Sequence, residues 1–334
     1  MNRPVTLQDV ARKYAVAVSP HLRGLMDEAD PLDPIARQFL PDIAELTDLP
    51  EELFDPIGDD AHSPVPGIVH RHPDRVLLKA VSRCPVYCRF CFRRETVGPG
   101  KEQNLDAAGL DAALAYIADH PEIWEVILTG GDPFIMPPAR IRHVMRALAA
   151  TGHVKIVRWH TRVPVVAPEM VDDEFVASLL APGITSWIAL HANHPRELTG
   201  AARTACDRLA RAGVALVSQT VLLRGVNDDV ETLAALMRGF VEAGIKPYYL
   251  HHPDLARGTS HFRLGIEDGL ALVRELRARF SGLAQPLYVL DIPGGFGKVP
   301  LDSQSVEKTE TGHRIRDFAG TWHVYPPAAQ SHPG

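Results

Sequence analysis

The sequence predicts an α/β fold with a parallel sheet, and three observations carry that prediction. From residue 75 onward, short β-branched or apolar runs alternate with longer segments of helical period. Several helical segments close on glycine, at Gly152, Gly213, Gly244 and Gly282, where a left-handed cap is expected. Residues able to carry chemistry (Cys84, Gly130, His191, Asp254 and Asp291) fall just after the strand-like runs, the end at which parallel α/β folds gather their sites.

Residues 1–65 are rich in acidic residues, proline and short amphipathic stretches, with no strand-like run, and are expected to form an N-terminal helical extension. Strands are expected at 75–81, 123–129, 154–161, 186–192, 215–223, 246–251 and 286–292. Helices are expected between them, at about 105–119, 138–151, 169–181, 199–212, 228–243 and 266–281. Such a set of strands suits either a barrel or an open sheet. No internal repeat or low-complexity tract interrupts the pattern.

Composition narrows the function. Hydrophobic residues make up 46% of the 334 and charged residues 23%, ordinary globular usage that sets aside disordered, collagenous and coiled-coil classes. With 35 Lys and Arg against 41 Asp and Glu, the net charge of −6 argues against nucleic-acid binding steered by the overall field. The N-terminal stretch MNRPVTLQDVARKYAVAVSPHLRG breaks its apolar run with charge and has no signal-peptide core. No run approaches the ~18 to 20 apolar residues of a membrane span. A cytoplasmic enzyme of small-molecule chemistry, with no nucleic-acid or membrane partner, is therefore expected. In a reducing compartment, three cysteines within eight residues suggest metal ligation rather than disulfides. Cys206, at helical spacing in TGAARTACDRLARAG, reads as a small core residue.

The cluster reads SRCPVYCRFCFRR, with the spacing C-x3-C-x2-C directly after the first expected strand. Three thiolates from one short loop can hold three corners of a cubic iron–sulfur cluster, leaving the fourth iron open to a small molecule. The alternative is a zinc site completed by His70 or His72. After the next strand comes ILTGGDP, whose glycines allow backbone to approach a ligand closely.

With Phe90 before the last cysteine, the loop resembles that of the radical S-adenosylmethionine (SAM) enzymes. The resemblance narrows to the lysine 2,3-aminomutases through HRHPDRVLL (70–78), CPVYCRFCFRR (84–94), TGGDP (129–133), HTRVPVV (160–166), LHANHPREL (190–198), SQTVLLRGVND (218–228), PYYLHHPDLARGTSHFR (247–263) and DIPGGFGKVP (291–300). It covers about 65 to 300; the first 60 residues carry little of it. It implies a partial (β/α)6 TIM-like barrel at 66–285, behind the extension and before a C-terminal segment, 286–334, that binds pyridoxal 5′-phosphate (PLP).

The resemblance also implies a role for each matched residue. Cys84, Cys88 and Cys91 would hold a [4Fe–4S] cluster whose open iron chelates SAM. Gly130, Gly131 and Asp132 would contact the SAM amino group, with His191, Asn193 and Gln219 lining its pocket. His160 and Arg162 suit either pocket or packing. Lys298 would carry PLP, as a primary amine able to form a Schiff base, and Arg71 and Arg75 would hold its phosphate. Arg93 would pair with the substrate α-carboxylate. Asp254 and Asp291 would clamp a distal ammonium, each offsetting the cost of burial through the cation.

The implied activity is that of an isomerase moving the α-amino group of L-lysine to C3 to give β-lysine. An electron donor such as flavodoxin or ferredoxin and a possible homo-oligomer are implied as partners. Arginine or glutamate as substrate, supply of β-lysine for elongation factor P, and a non-enzymatic iron–sulfur or zinc protein are the alternatives. No cysteine follows Cys206, so the C-terminal zinc site of longer members is not expected, and His251 and His252 stand where members vary.

Overall fold

The structure, a computed structural model, describes residues 6–101, 104–301, 306–317 and 320–326. Its main sheet holds nine strands in sequential order. These are β1 (Ile68–His72), β2 (Arg75–Val81), β3 (Glu125–Gly130), β4 (Ile156–Thr161), β5 (Thr185–His191), β6 (Ala215–Val221), β7 (Lys246–His251), β8 (Leu287–Ile292) and β9 (Gly297–Pro300). Strands β2 to β8 run parallel, while β1 and β9 join the two edges antiparallel. The seven expected strands are all present. The two edge strands escape a pattern search because each is short and lies in a hairpin rather than a β/α unit.

Before β1 the extension contributes three short helices, α1 (Leu7–Lys13), α2 (Pro20–Arg23) and α3 (Ala36–Phe39). Along the barrel follow α4 (Ala107–Ala118), α5 (Pro138–Thr151), α6 (Val163–Val166), α7 (Asp173–Ser178), α8 (Gly200–Arg211), α9 (Val230–Glu242) and α10 (Ile266–Arg279). Each strand from β2 to β7 is thus followed by helix, which makes the (β/α)6 arrangement, with β8 added. Side-chain caps start several of these helices: Asp106 accepts from Gly109 N, Thr199 from Ala202 N and Asp229 from Thr232 N.

Two local expectations change. The helix expected over 169–181 shrinks to α7 and is preceded by α6, because Pro164 and Pro168 cannot donate the bonds a continuous helix needs. Gly152 caps α5 at φ 75°, as expected, but Gly282 begins a separate short 3-10 turn, and α10 stops at Arg279 with Phe280 extended. Beyond β9, part of the expected C-terminal segment forms a second antiparallel sheet of β10 (Val306–Thr309), β11 (Gly312–Arg316) and β12 (Trp322–Tyr325). Residues 302–305, 318–319 and 327–334 of that segment lie outside the described residues. Strands β8 and β9 continue the core sheet without a break.

The core fills the space between sheet and helices. Trp159, Phe134 and Phe175 meet edge-on, with Phe134 4.7 Å from Phe175 and 6.1 Å from Trp159 between ring centroids. Cys206 packs on the buried face of α8, as its spacing suggests. Among the described residues no helix is long and apolar enough to cross a membrane.

The extension is mostly turns, and it lies against the loops that follow β2 and β7. Leu53 N donates to Leu255 O at 2.7 Å, Tyr87 N to Ala17 O at 3.2 Å and Arg89 N to Gln38 O at 2.8 Å. Its firmest attachment is Glu45, fully buried, whose carboxylate accepts from Arg89 Nε at 2.9 Å and Nη2 at 2.5 Å, and also from Arg94. Arg94 stacks 3.5 Å from the Tyr14 ring centre. Removing one charge from such a buried set strands the others. Glu45→Gln should therefore cost about 3–5 kcal/mol of stability, seen as a lowered midpoint in anaerobic denaturant titration.

Candidate functional site

The cysteine loop begins where β2 ends. Cys84, Cys88 and Cys91 are all free, and their thiols lie close enough to influence one another electrostatically. Burial pushes Cys91 up to about 11 and drives Cys84 well above the ordinary thiol range, with the Asp132 charge adding to the latter. Ligation would have to release these protons. Among the described residues no three His, Cys, Asp or Glu side chains converge as they would on a single metal ion. His70 bonds Tyr116 through Nδ1 at 2.8 Å.

The TGGDP turn packs directly on this loop. Gly131 N donates to Val81 O at 2.7 Å and Asp132 N to Arg83 O at 2.9 Å. A Cβ at Gly131 would stand 2.2 Å from the Arg83 carbonyl oxygen. The glycine is needed for backbone meeting backbone, one residue before Cys84. The buried carboxylate of Asp132 accepts from Thr161 Oγ1 at 2.7 Å, Arg162 N at 2.8 Å and Phe134 N at 3.0 Å. These bonds tie β3 to the end of β4 and fix the turn whose backbone the resemblance places against SAM.

Asn193 is likewise held by protein partners. Fully buried, it donates from Nδ2 to Gln38 Oε1 at 3.1 Å, and its Oδ1 accepts from Val221 N at 2.9 Å. His191 Nε2 lies 3.2 Å from that same oxygen, and its ring sits 5.6 Å from Phe90 of the cysteine loop. Gln219 pairs with His191 in the β5–β6 ladder. Arg162, which the sequence leaves between pocket and packing, is buried with Nη1 3.0 Å from Cys88 Sγ.

Inside the barrel the charged residues meet. Lys298 lies opposite Asp291 in the β8–β9 ladder, so both side chains share a face, and Nζ pairs with the Asp291 carboxylate. His251, at the end of β7, brings Nδ1 to 3.2 Å from Lys298 Nζ and 3.7 Å from Asp291. The Tyr249 ring centre lies 5.5 Å from the same Nζ. Burial opposes ionisation of Asp291, yet the Lys298 charge and the His251 hydrogen bond hold it below the usual carboxylate range. Burial, with the Lys298 charge, lowers His251 to about 4 and keeps it neutral. Its Nε2, like that of His160, is buried without a protein partner.

Asp254 and Arg93 complete the lumen. Burial, then repulsion from Asp291, pushes Asp254 up to about 7, while Lys298 and Arg93 pull it back. Arg93 donates from Nε at 3.0 Å and Nη2 at 2.8 Å to Asp59, and from Nη1 at 3.1 Å to Thr129. Three of its five N–H bonds thus find acceptors among the described residues, which leaves two there that could meet a carboxylate. Asp59 also accepts from Arg71 at 3.3 Å, which further donates to Ile57 O at 2.7 Å. Arg75 opens β2 at the end away from the cysteine loop, about a third exposed and paired with Asp74 at 2.7 Å, and its charge reaches Tyr249, the ring that borders Lys298.

Residues 78–237 match the radical SAM superfamily. Over 312 residues the chain is 38% identical to L-lysine 2,3-aminomutase of Fusobacterium nucleatum, covering 93% of this chain and 73% of that protein. It is 37% identical over 324 residues to L-lysine 2,3-aminomutase of Clostridium subterminale, covering 97% and 77%. The chain belongs to the lysine 2,3-aminomutase family of radical SAM enzymes. Glutamate 2,3-aminomutase of Clostridioides difficile is 35% identical over 315 residues, covering 94% and 74%, so the family spans more than one amino acid.

A radical SAM aminomutase is an isomerase that works with a [4Fe–4S] cluster and SAM. The donor set fits such a cluster: three free thiols on one loop, one of them hydrogen-bonded by a buried cation. Several residues of this aminomutase site escape the sequence. Asp59, Glu45 and Gln38 lie in the extension, where the resemblance is weak, and Glu197 hides within LHANHPREL as an ordinary surface-like glutamate. Only the P-G-G-F-G-K glycines hint at the extension's contact: Gly295 packs on Gly58, where an added Cβ at Gly58 would lie 2.5 Å from Gly295 N.

Gly131→Ala tests how the turn seats the cysteine loop. Overpacking against backbone should cost about 1–3 kcal/mol and displace the segment leading to Cys84. Iron and sulfide per chain after anaerobic reconstitution should fall below the unmodified protein's while the far-ultraviolet dichroism stays native.

Proposed function

We propose that this enzyme interconverts L-lysine and β-lysine, with the amino group moving between C2 and C3. One observation carries the reading: the barrel already holds an alkylammonium, that of Lys298, between Asp291 and His251, with Asp254 coupled to the same group. A lysine side chain ends in the same group, so it fits the pole that Lys298 vacates when its amine is engaged elsewhere. The free N–H bonds of Arg93 offer an opposite pole for the α-carboxylate. When bound, the cluster and SAM would supply a hydrogen-abstracting radical, and PLP would supply a conjugated π system able to take up the unpaired electron while nitrogen passes from C2 to C3.

In this reading Cys84, Cys88 and Cys91 hold the cluster, Lys298 holds PLP covalently, and Arg71 and Arg75 face its phosphate. The backbone at Gly130 and Gly131, with His191 and Gln219, borders SAM, while Asp132 and Asn193 keep that border in shape. The orphaned Nε2 atoms of His160 and His251 leave donors or acceptors inside the barrel for a polar cofactor. A cytoplasmic setting suits three reduced thiols, and a flavodoxin or ferredoxin would deliver the electron.

Glutamate would bring its side-chain carboxylate against Asp254 and Asp291. Like charges in a partly desolvated site cost several kcal/mol, or ~10²-fold or more in discrimination. In anaerobic assays with SAM, PLP and reductant, kcat/KM should rank lysine above arginine by a modest factor and above glutamate by that larger one. Arginine is disfavoured only by length and fork geometry. The pH profile follows from Asp254: its raised value means the neutral form grows as pH falls through about 7, and that form cannot pair with an ammonium. The kcat/KM for lysine should therefore drop below pH 7, and Asp254→Asn should flatten that limb. Equal turnover of lysine and glutamate would sink the assignment.

A separate measurement addresses Lys298. Borohydride reduction of the PLP-loaded protein followed by peptide mapping should place the label at residue 298, and Lys298→Ala should abolish both label and turnover.

A further inference from the structure

Arg162 follows β4 and is almost wholly buried, yet it lies beside the expected cluster rather than the charged lumen. Its fork faces three groups. Nη1 reaches Cys88 Sγ at 3.0 Å, and Nη2 reaches Gln38 Oε1 at 2.5 Å and Glu197 Oε2 at 2.6 Å. The guanidinium also lies 4.5 Å from the Phe39 ring centre and 5.5 Å from that of Phe90. Its backbone N–H is fixed by Asp132 at 2.8 Å. Glu197 and Gln38 would anchor the arginine by themselves; the bond to sulfur is an addition that anchoring does not require.

We propose that Arg162 is a positioning residue that raises the reduction potential of the cluster held by Cys84, Cys88 and Cys91, acting through its hydrogen bond to the Cys88 sulfur. Reduction adds one electron, taken from an external reductant, and increases the negative charge on the sulfurs. A cationic N–H donor aimed at one sulfur stabilises the reduced state more than the oxidised one. In a buried site little solvent screens the effect. Glu197 and Gln38 set the direction of the fork, as outer partners do around metal ligands. The extension therefore reaches the redox centre through Gln38.

The proposal rests on the assignment of the cluster to the three cysteines, and the experiment separates the two. Arg162→Gln combined with Glu197→Gln removes both buried charges together, so that neither is left unpaired. Both proteins are reconstituted anaerobically, assayed for iron and sulfide, and titrated with dithionite and mediators under electron paramagnetic resonance, without SAM or amino acid. With cluster content unchanged, the variant's midpoint should lie lower by about tenfold in the reduction equilibrium, or about 59 mV for one electron. An unchanged midpoint at full content overturns the proposal. If the variant fails to hold a cluster, the unmodified protein grown with 15N-arginine decides: pulsed resonance of its reduced cluster should show a 15N coupling, and its absence overturns the proposal. Unmodified protein that takes up no iron and sulfide would refute the cluster assignment itself, before any potential is read.

Discussion

The cysteine loop cannot hold its own shape, and the architecture around it answers that constraint. Between β2 and α4 the described residues make no strand or helix, and key backbone donors reach outward, to Ala17 and Gln38 of the extension. Two buried carboxylates grip the flanks. Glu45 takes Arg89 and Arg94, while Glu197 takes Arg162, which in turn touches Cys88. Buried ion pairs of this kind add little net stability against an apolar alternative, but breaking one is costly, so they make the loop's geometry close to all-or-none. That suits a site in which three sulfurs must stand in fixed relation.

The charged lumen obeys a second logic. Lys298, Asp291, His251 and Asp254 share one face of the barrel's end, and their mutual influence keeps Asp291 ionised, His251 neutral and Asp254 poised near neutrality. In the proposed reading, the lysine that would act as an amine is held against a carboxylate. That same pairing is where the proposed reading seats a substrate cation. Arg93 is held from the other side by Asp59, which also contacts Arg71, so the extension closes the lumen as well as the cysteine loop.

Much of the fold is legible in the sequence because its signals are local. Parallel strands buried on both faces read as apolar runs, and their helices announce themselves by Asp or Thr caps and closing glycines. Strands β1 and β9 carry no such signal, since each is a short hairpin partner. Gly282 misleads because a glycine after a helix can equally open a new turn. In the proposed site, Cys84, Cys88 and Cys91 stand out by residue type and spacing, whereas Lys298 is picked out only by the family resemblance. Glu45, Asp59 and Gln38 are invisible because any polar residue in a proline-rich extension looks solvated until its burial is known.

The sequence by itself determined the repeating β/α order, the loop able to bind iron and sulfur, and membership of a family that moves amino groups by radicals. Only the tertiary structure decided which polar side chains find their partners within the protein. Asp132 and Asn193 sit in motifs that suggest ligand contact, yet both are satisfied by backbone and side-chain donors from other strands. Glu197 and Arg162, 35 residues apart, become one ion pair beside a cysteine from a third segment. A buried polar group must find its partner wherever the fold brings one, and that partner's position is set by how strands and loops pack, which no local spacing records.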